Sequence, residues 1–293
     1  MTRRCALLVN PTAGKGRHQH LVPAVQVRLA AADLDVTRMQ GADGDEAADL
    51  ARQAVDDGYD LLVVMGGDGI VHLAVQSVAM SETALGVIAT GTGNDVARYL
   101  DLPRRNPVAA AEIIGRGVTR RMDLARAGTT YYVTVLAAGF DSLVNERANA
   151  MTWPTGQMRY NLATLAELRV FNPLSYTLEL DGERRQLQAM LVAVGNGPSY
   201  GGGLRICEGA LLDDGQLDVV IIKPISKPEL LRVYPKLFKG THVTHRSYEH
   251  HRVSRVSIAV PGVVAYADGE RLAPLPLTVE AVPAALTVCV PSR

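Results

Sequence analysis

LLVVMGGDGIVHLA, residues 61–74, is the stretch whose reading decides the fold. Apolar residues run into three glycines that surround one carboxylate, Asp68, and an apolar stretch resumes at Ile70. A short continuous apolar run bounded by such a corner predicts a strand buried on both faces, as in parallel sheets. Glycine at the strand end lets the backbone turn tightly and approach a ligand. A carboxylate in that place asks for a partner of opposite charge.

The stretch belongs to an alternating series. CALLVN (5–10), LDVTRM (34–39), YDLLVVM (59–65) and ALGVIA (84–89) read as strands. Residues 20–31, 45–58, 70–80 and 94–102 read as helices. The second of these has an acidic first turn, an apolar face and a glycine stop. Strand–helix alternation with continuous apolar strands predicts a parallel sheet covered on both faces. After about residue 124 the rhythm changes. YYVTVLAAGF (131–140), SYTLEL (175–180), RQLQAMLVAVG (185–195), LDVVII (217–222), RVSIAV (255–260) and VVAYA (263–267) read as strands joined by Asp-Gly and Gly-Pro turns. Only two helices are expected there, near 158–171 and 226–239. This half predicts an antiparallel β structure.

The bulk numbers agree with two domains. The chain has 293 residues, 47% of them hydrophobic and 20% charged, enough for a sizeable core. Thirty basic residues balance thirty acidic ones, which does not suggest a nucleic-acid partner. Cys5, Cys207 and Cys289 are scattered, with no metal spacing and no redox pair. The apolar run near the start is too short for a signal peptide, and no stretch approaches the ~20 residues of a membrane span. The expectation is a cytoplasmic protein with any membrane contact peripheral, at the inner face.

Three glycine corners follow apolar strands: NPTAGKG (10–16), GGDG (66–69) and GTGND (91–95). In an open α/β sheet, ligands bind beyond the carboxyl ends of the strands, where a following helix offers free N–H groups to phosphate. Three corners in order point to a polyphosphate site. None is a Walker A loop, and no GxGxxG fingerprint follows a strand. Asp68 and Asp95 border this site. A bare carboxylate beside phosphate is repelled by roughly 4 kcal/mol at ~4 Å and an effective dielectric of ~20, and a bridging Mg²⁺ reverses the sign. The plainer readings are a turn residue for Asp68 and a helix N-cap for Asp95. Lys15 and Arg17 are open between steering phosphate and simple solvation.

VNPTAGKGR, VVMGGDG, GTGNDVAR, GNGPSYGGGLRI (195–206), ALLDDGQLDVV (210–220) and ADGERL (267–272) occur in this order. Together they resemble the diacylglycerol kinase catalytic family, in particular its soluble bacterial lipid kinases, which are related to sphingosine kinases and NAD kinases. The resemblance implies an NAD-kinase/phosphofructokinase-like α/β domain over 1–124 and a β-sandwich lipid-substrate domain over 125–284, with strand 285–291 returning to the first. It implies ATP as donor, Mg²⁺, and a lipid hydroxyl at a membrane surface as acceptor, diacylglycerol first. Sphingoid bases, undecaprenol and NAD are the alternative acceptors, and a non-catalytic nucleotide-binding homologue is the alternative role. A homodimer is compatible with the resemblance.

Carried over by position, the resemblance implies nucleotide contacts at Asn10, Gly14, Gly66, Gly67, Asp68, Gly69, Gly91, Thr92, Asn94 and Asp95. Asp68 and Asp95 would organise the catalytic Mg²⁺ through water. Asp268 would be the general base. A structural Mg²⁺ would fall on Asp214 and the backbone oxygens of Leu211 and Gln216, with Glu270 supporting that region from nearby. A second Asp-Gly-Glu, at 181–183, reads as a plain hairpin turn. The sequence departs from the family where Ile70, His72 and Leu73 replace the usual threonine, asparagine and glutamate, and where Gln40 stands for a threonine near the adenine side. The histidine-rich THVTHRSYEHH (241–251) lacks the framework of a zinc site and is expected to be a solvated connection. Trp153, Pro154 and the helix from Tyr160 to Phe171 suggest an apolar lipid entrance, with core packing as the plainer reading.

Overall fold

The computed structural model describes residues 2–10, 18–153, 158–159, 162–163, 166–167 and 172–292. Gly14, Lys15, Arg17, Pro154, Tyr160 and Phe171 lie outside them. Two compact units divide the chain: residues 1–124 with 282–293, and residues 125–281.

In the first unit, β1 (Arg3–Val9), β2 (Leu34–Met39), β3 (Leu61–Gly66) and β4 (Ala84–Ala89) form a parallel sheet in the order β2-β1-β3-β4. The doubly buried strand expected from the apolar run is present. Cys5, Leu7 and Val9 point to one face, while Ala6 and Leu8 are equally buried on the other. Cys5, Leu7, Leu61 and Val63 pack against Val25 and Leu29 of α1 (Val22–Ala30) and Ile114 of α5 (Pro107–Gly115). The opposite face receives α2 (Gly44–Asp56) and α3 (Asp68–Val78). Asp43 caps α2 and Asn106 caps α5, each accepting a backbone N–H two residues into the helix. The helix expected over 94–102 is the five-residue α4 (Asp95–Tyr99).

The second unit is a sandwich. One layer holds β8 (Leu174–Leu180), β9 (Glu183–Ala189), β13 (Arg255–Ala259) and the start of β16 (Leu277–Cys289). The other has the order β12-β11-β10-β7-β14-β15, from β12 (Tyr248–Val253), β11 (Leu217–Ile222), β10 (Leu191–Gly195), β7 (Val135–Gly139), β14 (Val264–Ala267) and β15 (Glu270–Pro274). Leu178, Ile258 and Val256 from the first layer meet Leu136, Val192 and Val219 from the second. The end of β16 belongs to the first unit, where Val288 pairs in parallel with Leu85 of β4.

Four expectations are corrected here. The run 185–195 is two strands: the chain changes layer at Met190, so β9 pairs with β8 and β10 with β11. The run 131–140 is two strands, Thr130–Tyr132 and β7, interrupted at Val133 and Thr134, and α6 (Phe140–Ala150) follows β7 directly. Gly139 takes φ 134°, and Phe140, Val144 and Ala148 form a buried stripe four residues apart. The apolar lead of β7 masked that stripe. Residues 241–251 are a 3₁₀ turn (Thr241–Thr244) and β12. His242 is buried, and His250 Nε2 lies 2.6 Å from Asp218 Oδ1, so the histidines are structural there. Lastly, α3 begins at Asp68, two residues before the expected start.

Two tyrosines fasten the sandwich from inside. The Tyr176 hydroxyl on β8 donates to the Ala138 carbonyl on β7 at 2.9 Å, and Tyr132 donates to Val194 of β10 at 3.0 Å. Both rings are buried. Tyr176→Phe is expected to cost about 0.5–1.5 kcal/mol in urea unfolding, because one hydrogen bond is lost. Tyr176→Ala is expected to cost about 3–5 kcal/mol, because the ring leaves a cavity.

Candidate active site

One candidate site is built at the carboxyl ends of β1, β3 and β4. The Asn10 N–H donates to the Met65 carbonyl at 3.0 Å, and the Thr90 N–H donates to Gly66 at 2.8 Å, which holds the three strand ends level. Gly67 precedes α3 and has no side chain to cap it. The first-turn N–H groups of α3 therefore lack the side-chain acceptor that α2 and α5 have, which is the arrangement that receives an anion. A methyl group on Gly91 would stand 2.5 Å from the Gly67 Cα, and one on Gly66 would stand 2.5 Å from Ile70 Cγ2. The two glycine corners are in backbone contact, and only glycine permits it.

Asp68 Oδ1 accepts the Asp95 N–H at 2.8 Å, so the carboxylate of the second corner caps the short helix of the third. Asn94 takes the left-handed conformation, φ 54°, and closes its loop by two bonds with the Gly91 backbone, at 2.9 and 3.1 Å. Asp95 is only 3% exposed, and its Oδ1 lies 3.6 Å from Arg98 Nε. Desolvation, and next the charge of Asp95, push the Asp68 carboxyl up to about 6. Asp68 and Asp95 thus form a like-charge pair of which one member is buried. Gly69 and Thr92 are exposed on either side.

Among the described residues no group of three or more His, Cys, Asp or Glu side chains could hold a metal by itself. The donor set of Asp68 and Asp95 fits Mg²⁺ only in the company of phosphate oxygens and water, which is how Mg²⁺ is usually bound. Ile70 is buried against Gly66, so its side chain seals the corner where a threonine would offer a hydroxyl. Gln40 Oε1 already accepts from Arg38 Nη2 at 2.6 Å.

In the second unit, Asp268 and Gly269 are the two central residues of the β14–β15 hairpin, both with positive φ, 54° and 86°. This is the Asp-Gly signature of a type I′ turn. Asp268 is 9% exposed. Its Oδ1 accepts the Thr134 N–H at 2.8 Å and the Thr134 hydroxyl at 2.6 Å, and Oδ2 accepts the Val133 N–H at 3.1 Å. Buried Asn196, directly after β10, donates from Nδ2 to the Val133 carbonyl at 3.0 Å and from its backbone to Thr134 at 2.9 Å. Glu146 of α6 accepts from the Tyr266 hydroxyl at 2.7 Å and from Arg271 Nε at 3.0 Å, gripping both strands of the hairpin. Thr134, Asn196 and Glu146 escaped the sequence reading. Asn196 alone had a signal, a polar residue between glycines at the end of an apolar strand.

The loop expected to hold a structural cation lies before β11. Leu211 is exposed, and the Gln216 N–H donates to Asp214 Oδ1 at 3.1 Å. Asp214 Oδ2 lies 3.8 Å from Arg252 Nη1, so a cation there would share its carboxylate with a guanidinium. Glu270 does not support this loop. It stands at the start of β15, four strand positions from β11 in the sheet order, roughly 19 Å at ~4.8 Å per strand.

Two family models cover the chain. The diacylglycerol kinase catalytic domain matches residues 4–127, and the YegS C-terminal NAD kinase β-sandwich-like domain matches residues 134–290. A diacylglycerol kinase of Mycobacterium tuberculosis is 43% identical over 290 residues, 97% of this chain and 94% of that protein. One from Bacillus subtilis is 27% identical over 88% of this chain and 86% of that protein. The crystal structure of a putative diacylglycerol kinase from Bacillus anthracis superposes with a TM-score of 0.81 at 25% identity, covering 98% of this chain and 95% of that one. An NAD kinase from Archaeoglobus fulgidus, solved with ATP, shares the fold with a TM-score of 0.57 at 13% identity, over 98% of this chain and 94% of its own. With both halves matched and a relative this similar along the whole length, the chain belongs to the diacylglycerol kinase family.

Proposed function

We propose that this protein is an ATP-dependent lipid kinase that phosphorylates the free hydroxyl of diacylglycerol to give phosphatidic acid. The observation that carries the reading is the Asp68–Asp95 pair beside the uncapped N-terminus of α3. Backbone donors suit the phosphate tail, and two close carboxylates suit a divalent ion that arrives with it. The names of the relatives supply the acceptor class.

Phosphoryl transfer asks for positioning and charge neutralisation more than for covalent chemistry. The first-turn N–H groups of α3, with Gly67 and Gly91 giving close approach, would hold phosphate oxygens of ATP. Bound Mg²⁺ would neutralise charge on the phosphates and be held through Asp68 and Asp95. Asp268 would take the proton of the acceptor hydroxyl. Both of its oxygens already accept hydrogen bonds, so the hydroxyl shares a carboxylate that Val133 and Thr134 hold in one orientation. A positioned base of this kind contributes about 10²–10⁴-fold.

Purified protein incubated with labelled ATP, Mg²⁺ and separate acceptors is expected to label diacylglycerol, in an organic-phase product, ahead of sphingosine, undecaprenol and NAD. Label on NAD alone, or on none, would contradict the proposal. Asp268→Asn is expected to keep ATP binding and lose at least a hundredfold in kcat. Turnover at the wild-type rate would remove Asp268 from the mechanism.

The charge pair also predicts a pH dependence of stability. The Asp68 carboxyl is raised to about 6 in the folded protein against 3.8 for the free group, so the folded state holds its proton more tightly. Stability of the ligand-free protein must then fall as pH rises from about 4 to 6 through this group. Asp68→Asn keeps an acceptor for the Asp95 N–H and removes the charge. Its unfolding free energy is expected above that of wild type at pH 7.5, by about 1–3 kcal/mol, with the difference fading towards pH 4. A variant less stable than wild type at pH 7.5 would contradict this.

A further inference from the structure

Val133 and Thr134 lie between the strand Thr130–Tyr132 and β7, and both are buried. Their four backbone groups all have partners, and like groups point the same way. Both N–H groups go to Asp268, Val133 to Oδ2 at 3.1 Å and Thr134 to Oδ1 at 2.8 Å. Both carbonyls face the chain after β10. Val133 accepts from Asn196 Nδ2 at 3.0 Å, and Thr134 accepts the N–H groups of Asn196 and Gly197, each at 2.9 Å. In a regular antiparallel strand, successive residues turn their backbone groups to opposite neighbours. Two successive N–H groups aimed one way instead make a cradle for an anion, here the Asp268 carboxylate.

The Thr134 hydroxyl adds a third donor, 2.6 Å from Oδ1. Each carboxylate oxygen offers about two acceptor positions. Thr134 alone therefore fills Oδ1, with its N–H and its hydroxyl, and a proton arriving from an alcohol can be taken only at Oδ2. The turn at Asp181 has donors of the same kinds: the N–H groups of Ser254 and Arg255, and the Ser254 hydroxyl at 2.8 Å. Ser254 is exposed, whereas Thr134 is 1% exposed. The surface turn thus supplies an internal control, in which the hydroxyl serves the hairpin and nothing else.

We infer that Thr134 is a positioning residue for phosphoryl transfer, whose hydroxyl occupies Oδ1 and so directs the proton of the acceptor alcohol to Oδ2 of Asp268. The inference rests on the kinase reading, with Asp268 as its base. In the step, the alcohol O–H bond breaks and its proton goes to Oδ2. The alcohol oxygen bonds to the γ-phosphorus of ATP, and the bond from that phosphorus to the bridging oxygen breaks, its electron pair leaving with ADP. Without the Thr134 hydroxyl, each carboxylate oxygen keeps one of these backbone donors, and the preference for Oδ2 is lost.

Full-length variants are assayed with labelled ATP, Mg²⁺ and diacylglycerol, each alongside urea unfolding and calorimetric ATP binding. Thr134→Val is expected to lose about fivefold or more in kcat, with KM for ATP and for diacylglycerol within about twofold of wild type. Thr134→Ser restores the donor and is expected to recover most of that loss. In the Asp268→Asn background, Thr134→Val is expected to change kcat by less than about twofold, because the base it positions is gone. Ser254→Ala is expected to weaken the fold and leave kcat alone. If T134V does not fold, T134A, which leaves room for a water, is read in its place. Asp268→Asn at the wild-type rate would strike the base, and the inference with it. The inference alone is overturned if T134V turns over as wild type does, or if T134S loses as much as T134V. It is also overturned if T134V costs the same factor in both backgrounds, or if Ser254→Ala lowers kcat as T134V does.

Discussion

Two carboxylates are held close together through the backbone, with the Asp95 N–H given to Asp68 Oδ1. That bond joins the loops that follow β3 and β4 and meets the start of α4, while Gly67 leaves α3 without a side-chain cap. Burial first, and then the neighbouring charge of Asp95, raise the Asp68 carboxyl to about 6. Such an arrangement costs stability in the empty protein. On the proposed function it would become favourable once a divalent ion and phosphate oxygens completed the donor set, because the ion would convert repulsion into attraction. The glycines on either side follow from the same need. Gly67 and Gly91 touch through their backbones, and a side chain on Gly91 would push the corners apart.

The second unit applies a similar economy to Asp268. The hairpins at Asp181 and Asp268 share the sequence Asp-Gly-Glu, the same left-handed turn residues, and a carboxylate that accepts backbone N–H groups from neighbouring chain. Asp181 ties Ser254 and Arg255 at the protein surface. Asp268 is buried, pinned by Thr134, and its hairpin is gripped by Glu146 on both strands. The turn is a structural solution available to any hairpin. What separates the two aspartates is burial and the elements stacked beneath them.

Much of this was legible in the sequence, for reasons that can be named. Strands β1, β3 and β4 are buried on both faces, so unbroken apolar runs leading into Asn-Pro or glycine corners announce them, and Asp68 with them. The β-rich second half was legible from alternating runs and Asp-Gly turns. The layer change at Met190 was not, because the polar strand β9 runs into the apolar strand β10 with no glycine or proline between them. α6 hid behind the apolar end of β7, and the sequence gives a helix stripe of three residues little chance against ten strand-like neighbours. His250 looked solvated because its partner, Asp218, is thirty-two residues away. Thr134 and Glu146 are meaningful only through contacts more than a hundred residues distant. The choice of Asp268 over Asp181 came from family resemblance, since local pattern makes them twins.

The central claim is that Asp68 is a strained carboxylate waiting for a cation-bound phosphate. Calorimetry tests it most directly, by titrating ATP with saturating Mg²⁺ at pH 6 in buffers of different ionisation enthalpy and comparing wild type with Asp68→Asn. The account predicts that wild type releases about half a proton more than the variant at pH 6, and that the difference vanishes near pH 8. Equal proton release by the two proteins at pH 6 would contradict it.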